Sequence, residues 1–468
     1  MITVINQRRT EFFSIKSICR ILYVFLFSFL LIGHLYFLFW GIEINTIPVI
    51  FWIFRIVTSI LAIWLGKLWK DKGFILLSLF LCYMFLRLWL IDNNLLFSED
   101  AAESLISGIW MCGACYGCAR ILDKKELKRL LGICSAIWTI GVVIYGGIGI
   151  HSAWVGHSIV GPGGAWWNFY GRMIMIYLPT TSGNILSVSA IIALVGGICN
   201  RNTIGKLLYL MAFLVIIIAM GLTDSRTAFI CTATGVGAIS GLSIYRLFRT
   251  KVKNRVGFLV ICLVSALCAA VLTLLGIRLL VYLFNLLKAK GGLLFTEAMA
   301  EGLKETKITV ISRSFTNAEI TQLSGRTEIW RTLLDYLFTH KTSLIFGNTI
   351  VQPMNLIPGL EECAHCHNLI LQIIIENGLI GLSIVLCFLF YLATCCFRMI
   401  TKSTEFNLLM VLPIIFSSLI GELVECNAWF RSSQCPMGVI LFIAIGIACT
   451  YGKRNSGDEM KEMVLRIN

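Results

Sequence analysis

Long apolar runs constrain the fold of this chain more than any other feature of its sequence. A helix that crosses a bilayer needs roughly 20 mostly apolar residues, and about twelve stretches meet this requirement. The mean hydropathy of +0.85 also lies far from that of a soluble domain. The sequence therefore predicts an all-α, polytopic integral membrane protein with one membrane domain over residues 1–468. Its predicted spans are residues 21–40, 44–66, 73–91, 101–121, 130–150, 173–197, 206–223, 227–245, 257–283, 379–397, 406–423 and 435–451.

Basic residues are concentrated in every second loop between these runs. They cluster at residues 67–72, 124–129, 201–206, 246–255 and 398–402, whereas the loops at 92–103 and 151–170 are acidic or neutral. By the positive-inside rule, both termini and the charged tail at residues 453–468 are predicted to be cytoplasmic. The same loops account for the formal net charge of +14, so we expect a lipid bilayer and no nucleic acid as partner.

Most of the 18 cysteines lie inside apolar runs, where cysteine behaves as a small buried hydrophobe. Cys112, Cys115 and Cys118 have zinc-like spacing, but no histidine or carboxylate accompanies them in their apolar segment. We interpret these three as helix-packing residues.

One predicted loop is much longer than the others and covers residues 284–366, on the extracytoplasmic side by the same charge argument. A structureless loop of that length is unusual, so we expect helices within it. Residues 293–303 are weakly amphipathic. A clearer helix is predicted to begin after Ser324, its N-cap, and to end near His340.

Arg326 is the first candidate for chemistry in this loop. It comes just inside the predicted N-terminus of the helix after Ser324, where free backbone N–H groups and the helix dipole favour an anion. Its guanidinium adds a bidentate fork that suits phosphate. The alternative is a structural ion pair with a carboxylate of the loop, and spacing does not separate the two.

Two further arginines are predicted on the same membrane face. Arg226 lies in TDSRTAF at the start of a span, and Arg172 follows the neutral loop GPGGAWWNFYGR. A charge within a bilayer usually faces a cavity or a partner. For Arg226 the alternative is snorkelling from the helix end, with Asp224 as a partner. With Arg326, these arginines predict an anion site large enough for a diphosphate.

His367 opens the segment HNLILQIIIENGLIGL. Asn368, Gln372 and Glu376 recur every four residues and give an otherwise apolar helix one polar stripe, which Gly378 is predicted to end. An imidazole accepts a proton from a hydroxyl near neutral pH, so His367 is a candidate general base. A structural histidine is the alternative reading, and His365 is a second, less well placed candidate.

The same region contains the pattern C-x-x-C-H, typical of covalent haem attachment, at residues 363–367. Haem would need a soluble pocket and an axial partner, which this loop does not offer. A zinc site built from such adjacent ligands would be cramped. We therefore expect neither a metal nor a cofactor, while a disulfide that includes Cys426 and reduced thiols remain equal alternatives.

The C-terminal half carries four motifs in order, which are TDSRTAF, SGRTEIW, LIFGN and HNLILQIIIENGLIGL. In sequence and order they resemble the O-antigen ligase and O-antigen polymerase superfamily of bacterial membrane glycosyltransferases. The last motif is the most specific, and the N-terminal half matches only as a set of spans. His365 and the paired cysteines depart from the family pattern.

The resemblance implies metal-independent, inverting transfer of a glycan from an undecaprenyl-diphosphate donor to an acceptor hydroxyl. The reaction would take place on the extracytoplasmic side of the bacterial cytoplasmic membrane. By resemblance, Arg226 and Arg326 correspond to the arginines that hold the diphosphate, and His367 to the histidine at the reaction centre. Arg172 is a looser match. Ser324, Asn368, Gln372, Glu376 and His365 are expected to support the site.

Three alternatives remain open from the sequence. A ligase transfers its glycan to lipid A core or another terminal acceptor, whereas a polymerase transfers it to another lipid-linked repeat, and the motifs do not separate the two. A transporter or flippase for lipid-linked sugars would favour internal repeats and polar sites at mid-membrane. A membrane scaffold would tolerate substitution of Arg326 and His367.

Overall fold

The protein is described from a computed structural model that covers most of the chain. The described residues are 15–40, 49–90, 99–155, 160–161, 164–165, 167–169, 172–173, 179–248, 252, 255–299, 326–348, 353–361, 363, 365–402, 409–424 and 436–453. Within these ranges the chain is helical apart from short strands that form two antiparallel pairs.

Fifteen α-helices are present in the described residues. They are α1 (Ile15–Trp40), α2 (Val49–Gly66), α3 (Lys72–Leu90), α4 (Glu99–Trp110), α5 (Tyr116–Ile121), α6 (Lys124–Val155), α7 (Pro179–Cys199), α8 (Thr203–Leu222), α9 (Arg226–Phe248), α10 (Arg255–Met299), α11 (Arg326–Thr339), α12 (Lys341–Phe346), α13 (Leu369–Lys402), α14 (Leu412–Val424) and α15 (Pro436–Tyr451). A π-helical turn, Met111–Cys115, joins α4 to α5, and 3-10 turns occupy Leu68–Lys70 and Pro353–Leu356.

The strands lie between α6 and α7. β1 (Val160–Gly161) pairs with β2 (Gly164–Ala165), and β3 (Trp167–Phe169) pairs with β4 (Arg172–Met173). In the second pair Phe169 is opposite Arg172, with an irregular register between Trp167 and Phe169.

Every predicted span overlaps a helix of the structure. Eight helices of the described chain are long and apolar enough to cross a membrane, and three shorter apolar helices accompany them. The all-α membrane fold is therefore confirmed, while the number of twelve crossings and their orientation stay predictions. The three shorter helices are Ile50–Gly66, Leu412–Leu423 and Met437–Tyr451.

The long extracytoplasmic loop over residues 284–366 stays a prediction, and its predicted start lies within a helix. Helix α10 extends about four turns beyond residue 284, to Met299. The stretch beyond residue 284 is rich in leucine, lysine and alanine, which are good helix formers even where the apolar run has ended. The Lys288 ammonium donates to the carbonyl of Ala153 at 2.7 Å, which fixes this extension to α6.

Two hydrophobic clusters organise the described chain. The larger joins α1 to α10 with α13, α14 and α15, and it includes Cys112, Cys115 and Cys118 as buried packing residues. The smaller one, which we call the loop cluster, joins α11 to the start of α13. Its buried members are Leu333, Leu337, Met354, Ile357, Leu360, Cys366, Ile374 and Ile375.

A buried charged cluster lies where α2 turns into α3, and we call this side of the helix bundle the Lys453 end. Asp71 is fully buried and accepts hydrogen bonds from the Tyr116 hydroxyl and the Lys453 ammonium, each at 2.6 Å. It also forms an ion pair with Arg120. Burial raises the pKa of Asp71, but the bonds from Lys453 and Tyr116 outweigh it and hold the pKa below its usual value.

Replacing Asp71 with asparagine should lower the free energy of unfolding by about 1–3 kcal/mol, because the three donors around Asp71 would lose a buried, charged acceptor. Thermal unfolding in detergent measures the effect. Asp335→Asn is the matched control, since Asp335 is exposed on α11. Equal unfolding temperatures for the two variants would contradict a structural role for the Asp71 cluster.

Candidate functional site

The helix that begins with Arg326 is attached directly to the loop that carries His367. The indole N–H of Trp330 donates to the carbonyl of Cys366 at 2.8 Å. One turn further along α11, Leu333 is fully buried in the loop cluster, against residues that flank and follow His367. The helix after Ser324 and its end near His340 are thus confirmed, with bounds Arg326–Thr339, while Ser324 itself lies outside the described residues.

Arg226 and Arg326 occupy equivalent positions in their helices. Arg226 is the first residue of α9, and Arg326 is the first residue of α11. Ser225 precedes Arg226, and its hydroxyl accepts from the backbone N–H of Ala228 at 3.4 Å. Both arginine side chains are half-buried. Each therefore adds a guanidinium to a helix N-terminus, which is already suited to an anion.

Helix α14 connects the helix of Arg226 with the loop of His367. The Ser417 hydroxyl donates to the carbonyl of Cys231 on α9 at 2.9 Å. Near the C-terminus of α14, the carbonyl of Leu423 accepts from the Asn368 side-chain amide at 3.1 Å. Ser417 also lies near Gly235, and Gly421 lies near Cys231, so α14 runs toward the start of α9, where Arg226 lies. The start of α9, the end of α14 and the His367 loop thus lie on one side of the bundle, which we call the His367 end.

His367 has an unusual backbone conformation. Its φ is 52°, in the left-handed region, and its backbone N–H donates to Nδ1 of His365 at 3.2 Å. The two imidazole rings meet edge to face, with 4.2 Å between their centres. Because Nδ1 of His365 accepts this bond, His365 positions the backbone of His367, and the His367 side chain is half-buried.

Two of the sequence motifs contain a residue other than glycine whose backbone φ is in the left-handed region. In the described chain these residues are Lys67, Asp224 and His367. Asp224 lies two residues before Arg226 in TDSRTAF, and His367 begins the last motif. Such conformations persist only where the surrounding contacts impose them, and they are common at functional sites.

The polar stripe after His367 holds the loop in place. The Asn368 side chain caps α13 by accepting from the N–H of Leu371 at 3.1 Å. Gln372, which is buried, accepts from the N–H of Cys366 at 3.0 Å and donates to Glu376 at 2.6 Å. Gln372 and Glu376 therefore contact protein. They would affect a ligand indirectly, by fixing the position of the loop that carries His367.

The cysteines of the C-x-x-C-H pattern are embedded in the same contacts. Cys366 is fully buried, and its thiol donates to the carbonyl of Asn368 and to Gln372, each at 3.2 Å. Cys363 is half-buried, and Cys426 lies outside the described residues. Within the described chain, no group of three or more His, Cys, Asp or Glu side chains could hold a metal ion.

Arg87 is a structural residue of this site that the sequence did not assign. It is buried on α3, and its guanidinium donates to the carbonyls of Glu376 and Asn348. Helix α13 is interrupted at Gly378, where φ is 65° and ψ is −173°. An interrupted helix leaves its last carbonyls without partners, so a cation at that position is favourable. Arg87 thus caps the short helix that follows His367.

The LIFGN motif supplies the second half of this cap. The N–H of Asn348 donates to the carbonyl of Ile375 at 2.7 Å, and its side-chain amide donates to the Tyr336 hydroxyl at 3.2 Å. Gly347 and Gly378 both have left-handed φ, and their backbones touch. A methyl group on Gly378 would collide with the carbonyl of Ile345. The prediction that Gly378 ends the polar helix is confirmed.

Replacing Gly378 with alanine should release LIFGN from α13. The left-handed conformation alone costs a side chain about 1–3 kcal/mol, and the collision adds to this. We expect faster hydrogen exchange at the Asn348 N–H and reduced activity. Gly276→Ala is the control, because a methyl group there meets no atom within 4 Å. Unchanged exchange at Asn348 would contradict the capping role.

Arg172 is described only through its backbone, in the strand that pairs with Phe169. Its predicted place in the anion site therefore stays a prediction. The tail at 453–468 is described only at Lys453.

Residues 210–386 match the family model described as O-Antigen ligase. The matched segment contains Arg226, Arg326, the LIFGN motif and His367, and it excludes Arg172. No curated protein sequence matches the chain.

Proposed function

We propose that this multi-pass membrane protein, whose residues 210–386 match the O-antigen ligase family model, transfers a glycan from an undecaprenyl-diphosphate donor to an acceptor hydroxyl. The family match carries the general activity in surface polysaccharide biosynthesis. The donor, the inverting mechanism without a metal, and the ligase-type acceptor are our proposal. Lipid A core or another glycan would be the acceptor.

One observation supports this assignment most. Two half-buried arginines, each at a helix N-terminus, and a half-buried histidine in a constrained loop are held by α11, α9 and α14 on one side of the bundle. The arginines suit a dianionic leaving group, and the histidine suits a hydroxyl proton. This combination fits group transfer from a lipid diphosphate.

The proposed reaction has a single displacement. His367 takes the proton of the acceptor hydroxyl while its oxygen attacks the anomeric carbon. The bond from that carbon to the diphosphate oxygen breaks, and the electron pair leaves with undecaprenyl diphosphate. Arg226 and Arg326 stabilise the charge that develops on the diphosphate. Attack opposite the leaving group inverts the anomeric centre.

The orientation follows from the charge pattern of the loops. The Lys453 end is flanked by the basic loops, so the positive-inside rule assigns it to the cytoplasm, with both termini. The His367 end then faces the extracytoplasmic side.

A product assay tests the proposal. Purified protein in liposomes is given a lipid-diphosphate glycan with labelled sugar and either lipid A core or unlabelled lipid-linked repeats. We expect labelled glycan on lipid A core together with free undecaprenyl diphosphate. Label on longer lipid-linked chains would replace the ligase by a polymerase. Movement of intact lipid between leaflets without release of undecaprenyl diphosphate would contradict the enzyme and indicate transport.

A further inference from the structure

A cavity of about 380 Å³ lies at the Lys453 end, between helices on the side of the bundle away from His367. Its walls come from α1, α5, α6, α7, α8, α14 and α15. Representative lining residues are Phe27, Leu131, Trp138, Val195, Ile414 and Ile443. None of the site residues described above contributes to it, so the glycan-transfer proposal does not account for this space.

The lining is apolar along most of its length and polar at one end. Lys128 and Asn200 are at the ends of α6 and α7 that lie near the basic loops. Further in, the hydroxyls of Ser135 and Tyr209 lie 3.4 Å apart, and the remaining lining is almost entirely hydrocarbon. A ligand that fits has a long apolar part and a polar head at Lys128.

The length of the cavity matches one leaflet of a bilayer. Lining residues of α6 run from Lys128 to Trp138, and ten residues of α-helix span about 15 Å. The hydrocarbon core of a bilayer is about 30 Å thick, so the cavity covers about half of it. Gly132 is exposed and lies between these residues, which opens the cavity to the surroundings of the bundle.

The charge around the polar end selects an anion. Lys124, Lys125, Lys128 and Arg129 lie on the first turns of α6, and Arg201 and Lys206 lie beside Asn200 in the sequence. Two acidic residues accompany them. Glu126 is paired with Arg20, and Asp123 accepts from the backbone N–H groups of Lys125 and Glu126, so the basic side chains still outnumber the carboxylates. Basic residues at a cytoplasmic leaflet attract anionic phospholipids.

We propose that this cavity binds one acyl chain of an anionic phospholipid of the leaflet at the Lys453 end, with the lipid phosphate at Lys128. The bound chain fills the space between seven helices and supports their packing on the side opposite to the transfer site. The lipid is a structural ligand and takes no part in the chemistry at His367.

A photo-crosslinking experiment tests the proposal in the full-length protein in liposomes. The probe is phosphatidylglycerol with a diazirine on one acyl chain, and labelled peptides are identified by mass spectrometry. Gly132 lines the cavity, and an added Cβ there meets no atom within 4 Å, so Gly132→Leu is the variant chosen to occupy it. Gly147→Leu is the matched control, because Gly147 is equally open on the same helix but does not line the cavity.

We expect labelling of the peptide around residues 127–138 in the parent protein and in Gly147→Leu, and its loss in Gly132→Leu. Lys128→Ala should weaken labelling about fivefold, as the loss of one lysine at an anionic surface predicts. Size-exclusion profiles and transfer activity check that each variant is folded. Equal labelling in all variants, equal labelling by phosphatidylcholine, or displacement of the probe by undecaprenyl phosphate would overturn the proposal.

Discussion

Replacing His367 with alanine should reduce glycan transfer by about 10²–10⁴-fold, the usual contribution of a general base. The imidazole is half-buried, and the backbone of His367 has a left-handed φ. His365 accepts from its backbone N–H, while Gln372 and Asn368 hold the residues on either side through the N–H of Cys366 and the carbonyl of Leu423. Removing the ring leaves these backbone contacts in place. The variant should therefore insert into membranes and unfold at the same temperature as the parent protein.

Two controls separate chemistry from structure. His151→Ala changes an exposed histidine on α6 and should have no effect. His365→Ala removes the acceptor of the His367 backbone N–H, so a smaller loss of rate is expected. Near-normal transfer by His367→Ala would remove this residue from the mechanism. A loss of transfer accompanied by a clear fall in the unfolding temperature would assign His367 a structural role.

Replacing either Arg226 or Arg326 with lysine should lower the transfer rate by about 10²–10³-fold, which is typical for the loss of one donor to a developing anion. An ammonium retains the charge but lacks the two parallel N–H groups that match a diphosphate. The rate with a saturating lipid-diphosphate glycan is the measurement. Because each arginine lies at a helix N-terminus, its N–H groups would bind the diphosphate together with backbone N–H groups. Diphosphate binding would therefore depend on the geometry of the guanidinium as well as on its charge.

The matched control lies on the same helix. Arg331 is exposed on α11, five residues after Arg326, and Arg331→Lys should leave the rate unchanged. If the Arg226→Lys and Arg326→Lys variants both keep full activity, bidentate diphosphate binding is refuted. A loss of the same size in Arg331→Lys would indicate a nonspecific effect of charge on α11.

The helical fold and part of the site were predictable because they depend on local patterns. Apolar runs fixed the predicted spans, and i, i+4 spacing identified Gln372 and Glu376, which are hydrogen-bonded at 2.6 Å. Glycine at the end of a polar stripe predicted the interruption at Gly378. The continuation of α10 past residue 284 was not apparent from hydropathy, because the apolar run ends near there while the helix continues to Met299.

The remaining contacts depend on residues far apart in the chain. Arg87 lies 289 residues from Glu376 and 261 from Asn348, so one sequence gives no sign that it caps the helix after His367. A buried arginine in a span signals only that a partner exists. The link from Arg226 to His367 through α14 was equally hidden, since α14 looks like an ordinary apolar span.

In the proposed mechanism, donor binding is assigned to Arg226 and Arg326 and proton transfer to His367. The most direct test is to measure the donor dissociation constant together with the single-turnover rate. Purified parent protein, Arg226→Lys, Arg326→Lys and His367→Ala would each be titrated with a lipid-diphosphate glycan. We predict that both lysine variants bind the donor more weakly and turn over more slowly, whereas His367→Ala binds it normally and fails to transfer the glycan. Parent-like donor binding in both lysine variants, together with impaired binding in His367→Ala, would contradict the account.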